Sequence, residues 1–191
     1  MKNSKSFSIK VIFFALLLTG MACTDLLAQK GNNQLAIGAE LGPVLTGRYH
    51  GYQFQLGLPI KAYYGVGNHG QLMFRTGLHH LWVPPAELFE PTRSVYAYLV
   101  PLGLGYRRNF NNWYFEGSAG AAWEKSFTNT GNPFVGTVSF DHFHLNYGVE
   151  FGKQLRNFDV GLSIQNNTIN GQPGLIHTGM VGFKVMYKIG G

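Results

Sequence analysis

The stretch Tyr52-Gln53-Phe54-Gln55-Leu56-Gly57-Leu58-Pro59-Ile60-Lys61-Ala62-Tyr63-Tyr64 decides the fold. Tyr52, Phe54, Leu56, Leu58, Ile60, Ala62 and Tyr64 fall on one face of an extended chain; Gln53, Gln55, Gly57, Pro59, Lys61 and Tyr63 fall on the other. Successive side chains of a strand point to opposite faces, so the segment reads as a strand with one apolar side. It is longer than the usual five or so residues of a globular strand. The pattern recurs. Tyr96, Tyr98, Val100, Leu102, Leu104 and Tyr106 alternate with Ala97, Leu99, Pro101, Gly103, Gly105 and Arg107. Phe143, Leu145, Tyr147, Val149 and Phe151 alternate with His142, His144, Asn146, Gly148, Glu150 and Gly152.

Working outward, the alternation predicts eight strands, near 34–43, 52–66, 70–83, 95–108, 113–126, 140–153, 157–166 and 177–189. Each can supply the roughly 9–11 tilted residues with which a β-strand crosses a hydrocarbon core. Short turns at 67–69, 109–112 and 154–156 alternate with longer loops at 43–51, 83–94, 127–139 and 166–176. An even number of antiparallel strands, with short turns at one end and long loops at the other, is the layout of an outer-membrane barrel. The fold expected is therefore all-β, an eight-stranded antiparallel up-and-down transmembrane β-barrel. No segment after the amino terminus has the run of about 18 apolar residues that a helical span requires.

Composition points the same way. Of 191 residues, 45% are hydrophobic, 15% aromatic and 13% charged, the last about half of the roughly 25% found in soluble domains. Mean hydropathy is nevertheless −0.03, which suits a sheet with one face in lipid. Aromatic richness and low charge exclude a disordered chain. The single cysteine excludes a disulfide scaffold or a structural zinc site. The net charge of +6 is scattered apart from Arg107-Arg108, without the basic stripe that nucleic-acid binding needs, so no nucleic-acid partner is expected.

Lys2, Lys5 and Lys10 precede an apolar run from Val11 to Leu18, the order of a secretory signal peptide. Residues 1–28 are expected to be removed after Ala28, in Leu27-Ala28-Gln29, leaving a barrel domain over 29–191. The competing reading anchors the chain through Cys23 as a lipoprotein.

The polar faces carry Glu40, Lys61, Arg75, Arg107, Glu116, Glu124, Glu150, Asp159, Lys184 and Lys188, five cations and five anions. Charges of this kind are costly on a hydrocarbon face. An eight-stranded barrel has an interior just wide enough for side chains to fill. A lumen-closing ion network of Glu40, Lys61, Arg75, Arg107, Glu116, Glu150, Asp159, Lys184 and Lys188 is expected, with Glu40, Lys61, Arg75 and Lys184 near mid-depth and the others near the short-turn end. The alternative is ion or proton conduction, for which a ring of one sign is the commoner device. Gly38, Gly57, Gly77, Gly103, Gly105, Gly148, Gly161 and Gly182 face inward and leave room for long ionic side chains.

Two aromatic girdles are expected at the bilayer interfaces. Trp82, Tyr96 and Trp123, with Tyr52 and Phe143, form one near the long loops; Tyr106, Trp113 and Tyr187, with Tyr64 and Phe151, form the other. His80 joins the first. A soluble lipocalin-like barrel would reverse the polarity, enclosing a ligand in an apolar lumen.

His79, His142, His144 and Glu124 are the candidate metal-binding or acid–base residues, all inward near the long-loop end, with Glu124 and His142 as cross-strand neighbours. Hydrated rim residues making ordinary hydrogen bonds are the alternative, and no cofactor is expected. Loops 83–94 (Pro84, Pro85, Glu87, Glu90, Pro91) and 127–139 (Phe127, Asn129, Gly131, Asn132, Pro133, Phe134, Val135) are candidate contacts for envelope proteins or lipopolysaccharide.

The signal ending Leu27-Ala28-Gln29, the segments Tyr98-Leu99-Val100-Pro101-Leu102-Gly103-Leu104-Gly105-Tyr106 and Trp113-Tyr114-Phe115-Glu116-Gly117-Ser118-Ala119-Gly120, and the closing Val185-Met186-Tyr187-Lys188-Ile189 resemble the small outer-membrane β-barrels of Bacteroidetes, the PorT-like and OmpX/OmpA-like group. The resemblance spans nearly all of 29–191. It implies a non-enzymatic barrel in the outer membrane of a Gram-negative bacterium, acting through its loops as a structural, adhesion or envelope-assembly component. The enzyme alternative is an outer-membrane lipid A deacylase, similar around Ser163-Ile164-Gln165-Asn166. That family places a histidine and a serine where Ser163 and Gln165 stand, and only Asn166 matches. A nucleophile without its base cannot carry the reaction.

Overall fold

A computed structural model of the chain describes residues 33–46, 52–66, 69–85, 88, 92–169 and 177–190. Its strands are β1 (Gln34–Thr46), β2 (Phe54–Val66), β3 (Gly70–Trp82), β4 (Ser94–Phe110), β5 (Trp113–Asn129), β6 (Thr137–Gln154), β7 (Phe158–Ile169) and β8 (His177–Ile189). Each pairs antiparallel with the next and β8 pairs with β1, closing an eight-stranded up-and-down barrel. Closure leaves no unpaired sheet edge. The expected signal segment 1–28, Cys23, Glu87, Glu90, Pro91 and the loop 170–176 lie outside the described residues.

The period-two pattern translates directly into two surfaces. In β2, burial alternates residue by residue: Phe54, Leu56, Leu58 and Ile60 face out, while Gln55, Gly57, Pro59 and Lys61 face in. Leu58 is 57% exposed and Lys61 2%. The apolar residues lie outside and the charged ones inside, the reverse of a soluble barrel. The ten inward charges exclude the lipocalin-like reading, which needed an apolar lumen.

Two departures from the expected elements have clear causes. Tyr52 shares the parity of the outward residues, yet it is 3% exposed. It precedes β2, so the alternation does not bind it, and it turns into the lumen. There it packs with Val44, Leu81, Ala97, Leu99, Ala122 and Met180 as an apolar plug at the long-loop end. Tyr52 therefore leaves the expected girdle. The second departure is the length of β5 and β6, whose ladder continues to Asn129↔Thr137. The expected loop 127–139 is therefore a hairpin whose connection is only 130–136.

Gly77 marks a strained point in the wall. It pairs with Pro59 on one side, and on the other the β3–β4 ladder lapses between Thr76↔Leu102 and His79↔Leu99, where Pro101 has no N–H to give. Gly77 has φ +157°, and a Cβ there would meet the Leu58 carbonyl oxygen at 2.7 Å. The two-residue turn between β4 and β5 uses Asn111 at φ 54°, a left-handed conformation that asparagine tolerates better than most residues.

Candidate functional site

Inward charges from seven strands meet in the lumen as one alternating chain. Glu40 of β1 contacts Lys184 of β8 at 3.2 Å, and Lys184 contacts Glu150 of β6 at 2.6 Å. Glu150 reaches Lys61 of β2 at 2.8 Å, and Lys61 also pairs with Glu116 of β5. Glu116 accepts from Arg107 of β4 at 3.1 Å, Arg107 donates to Asp159 of β7 at 2.7 Å, and Asp159 pairs with Lys188 at 3.0 Å. Cations and anions thus alternate along these contacts from Glu40 to Lys188, and the cross-strand pair Glu116 and Glu150 shares Lys61 between its two carboxylates. The chain also joins the mid-depth group to the short-turn group, because Lys61 and Lys184 of the first meet Glu116 and Glu150 of the second.

Tyrosines satisfy remaining lone pairs. Tyr114 donates to Glu150 at 2.7 Å and Tyr63 donates to Glu116 at 2.8 Å. The Arg107 guanidinium lies 3.9 Å from the centre of the Tyr114 ring, a cation–π contact in a desolvated setting. Glu40 accepts from the Ser163 hydroxyl at 2.5 Å and from the Gln165 amide at 3.1 Å. None of these neutral residues is expected from the sequence as a partner of the ion network; Ser163 and Gln165 enter there only through the deacylase comparison. Their signal was parity, since each lies on a polar face beside a charge of the chain.

Arg75 departs from the expectation. It makes no ion pair among the described residues; its guanidinium donates to Ser118 at 3.0 Å, Asn146 at 3.1 Å and Gln165 at 2.6 Å. It occupies the part of the lumen facing β5, β6 and β7, where neutral side chains line the wall at its depth. Close by, Glu40, Lys61, His79, Gln165 and Lys184 surround a cavity of about 10 Å³, roughly the size that holds one water.

The histidine candidates separate. Glu124 and His142 are cross-strand partners as expected, but the close contact is with His144, whose Nε2 lies 2.9 Å from a Glu124 oxygen. The His142 ring lies 6.2 Å from that of His144. Tyr52 donates to Glu124 at 3.4 Å. Burial, and then the Glu124 carboxylate, hold the Tyr52 phenol above its ordinary pKa, so it remains a donor. His79 sits deeper, 3.2 Å from the Gln55 side-chain oxygen and against Gly57. The four residues do not converge, and no group of three metal-ligating side chains occurs among the described residues. The separation follows from register: His79 on β3 pairs with Leu99 on β4, and Leu99, inward and part of the plug, in turn pairs with Glu124 on β5.

On the outer surface the aromatic candidates form stacked pairs. Trp82 stacks with Phe54 at 6.0 Å and with His80 at 5.6 Å, and Tyr96 stacks with Phe127 at 5.0 Å. At the short-turn end Trp113 stacks on Phe151 at 5.2 Å, and Phe158 meets Tyr187 at 5.2 Å. Tyr106 is exposed, and Trp123 is the exposed cross-strand partner of Phe143. In the hairpin connection, Phe134 is 95% exposed. The deacylase-like positions point away from any shared site: Ser163 and Gln165 serve Glu40 in the lumen, while Asn166 is outside and donates to the Tyr147 hydroxyl at 2.5 Å.

No protein-family model and no curated protein matches the chain. Solved structures do. Ail of Yersinia pestis, the attachment invasion locus protein, matches with TM-score 0.57 at 17% identity, over 84% of this chain and 100% of Ail. Neisserial surface protein A matches with TM-score 0.60 at 11% identity, over 83% and 98%. The N-terminal β-barrel domain of Pseudomonas aeruginosa OprF matches with TM-score 0.54 at 15% identity, over 84% and 100%. At these identities the likeness is one of fold: the chain has the closed antiparallel barrel of these outer-membrane proteins.

Proposed function

We propose that the protein spans the outer membrane of a Gram-negative bacterium as a closed, non-enzymatic barrel and acts at the cell surface through its long-loop end. The observation that carries this reading is the inverted sorting of side chains. Leu58, Leu102, Leu104, Val149 and Leu162 face outward between stacked aromatic belts, while an alternating ion chain fills the interior. In water the outer face would be a very large exposed apolar patch; in lipid it is matched. With the lumen closed, function falls to the ends of the barrel, and short turns at the periplasmic end leave the long-loop end for contact.

The β5–β6 hairpin is the contact element in this reading. Its ladder runs past the described pairing with β7, which ends at His144↔Ile169, while β4 follows it to Ser94↔Asn129, and it presents Phe134 and Val135 at its tip. One structure of Ail holds the heparin analogue sucrose octasulfate. Here the hairpin tip is apolar and its flanking Lys125 is paired with Asp141 at 3.8 Å, which favours a protein or lipopolysaccharide acyl surface over a sulfated sugar. The narrower kinship with PorT-like and OmpX/OmpA-like barrels of Bacteroidetes belongs to this proposal and rests on the Leu27-Ala28-Gln29 ending and the strand segments. Export through residues 1–28 completes it.

The test is fractionation with heat-modifiable gel migration. The protein is expected with outer membranes, migrating differently before and after boiling; recovery as a soluble periplasmic protein contradicts the proposal.

A further inference from the structure

An apolar groove of about 640 Å³ runs along the outer wall at the short-turn end, over β6, β7 and β8. Phe151, Leu162 and Phe183, in register across three strands, line it together with Val160, Trp113 and Leu155. At its mouth stands Lys153, outward and exposed, with its ammonium 5.8 Å from the centre of the Trp113 ring. Arg156 follows in the adjacent turn, also exposed. Among the described residues neither cation has a carboxylate partner. Glu116, Glu150 and Asp159, the carboxylates toward this end, are buried at 2%, 5% and 1% exposure in the lumen and committed to the ion chain. A second outer groove, about 580 Å³ between Leu104 and Ile164, has no cation among its lining residues.

We propose that the groove beside Lys153 is a binding site for an anionic glycerophospholipid, with an acyl chain along Phe151, Val160 and Leu162 and the phosphate on Lys153 and Arg156. The inference rests on the proposal that the outer face lies in lipid. The chemistry of the site selects the class. The trough accepts a hydrocarbon chain but no polar group. Lys153 lays its aliphatic stem along the wall and lifts its ammonium to headgroup level. Trp113 sits where indole rings prefer to lie, at the membrane–water boundary. Two unpaired cations with no exposed carboxylate nearby complement a phosphodiester without a compensating amine. Each basic residue near an anionic surface raises lipid affinity by about fivefold, so the pair is expected to give roughly a 30-fold preference at low salt.

The test uses the mature chain carrying Trp82→Phe and Trp123→Phe, so that Trp113 is the remaining tryptophan, reconstituted in phosphatidylcholine vesicles. Brominated phosphatidylglycerol or brominated phosphatidylcholine is added at equal mole fraction and the quenching of Trp113 is followed. Stronger quenching by phosphatidylglycerol, abolished by Lys153→Gln with Arg156→Gln, is expected. Equal quenching by both lipids overturns the site while leaving the membrane span intact. Protection of Trp113 by lipopolysaccharide at lower concentration than by phosphatidylglycerol also overturns it, by assigning the groove to a different lipid. No quenching by either lipid overturns the underlying span as well.

Discussion

At the residue scale, the lumen distinguishes charges that hold partners from a charge held by dipoles. Lys184 touches both Glu40 and Glu150, so Lys184→Met leaves Glu40 without an ion pair in a water-poor interior and Glu150 with Lys61 alone. Removing one member of a buried pair typically costs about 3–5 kcal/mol. Arg75 has only neutral partners, so Arg75→Met strands no carboxylate and is expected to cost about 1–3 kcal/mol for the hydrogen bonds left open. Denaturant unfolding of the two variants in lipid vesicles checks the order; an equal or larger loss for Arg75→Met contradicts the network as described. Gly182 gives a second handle. A Cβ there would overlap the Glu40 side chain, so Gly182→Ala is expected to destabilise by about 1–3 kcal/mol through displaced packing. Parity made every one of these charges legible as inward. It could not show who meets whom, because Glu150 finds Lys61 by crossing the lumen rather than along a strand. Tyr52 was misread for the complementary reason: parity holds only within a strand, and Tyr52 lies before the first residue of one.

At the element scale, strand existence was readable because each strand carries its own alternation, and the turns at 111–112 and 155–157 contain asparagine, with Arg156 beside it in the second. The ends of β5 and β6 were not. Asn129 and Gly131 read as loop, but cross-strand pairing carries the ladder to Asn129↔Thr137 before the chain turns. This places Phe134 and Val135 on a projecting tip rather than in a collapsed loop. The tip touches little, so deleting residues 131–135 is expected to change barrel stability by no more than about 0.5 kcal/mol, as for other surface changes away from packed features. The pair Phe134→Ser and Val135→Ser is expected to lower attachment to whatever surface the protein contacts, scored by binding of expressing cells against cells with the unaltered protein. Unchanged binding removes the hairpin from the contact site.

At the scale of the whole molecule, an even strand count and alternating loop lengths made the closed barrel legible, and the charge balance on the polar faces implied a filled lumen. The apolar plug of Val44, Tyr52, Leu81, Leu99 and Met180 over the ion chain was not foreseen, because its members are spread over most strands and share no local pattern. Plug and ion chain together fill the described lumen with buried side chains, so planar bilayers containing the purified protein are expected to show no stepwise conductance above the lipid background. Steady channel openings would mean that the ion chain lines a pore instead of closing one.

The central claim is that the outer face of this barrel meets hydrocarbon. Spin labels placed singly at Leu56, Leu72, Leu104, Val149 and Leu162, all outward and exposed, test it by power-saturation EPR in lipid vesicles. Higher accessibility to oxygen than to a water-soluble nickel chelate at all five positions is expected, with the contrast greatest midway between the aromatic belts. Greater accessibility to the chelate at these positions would place the face in water and contradict the account.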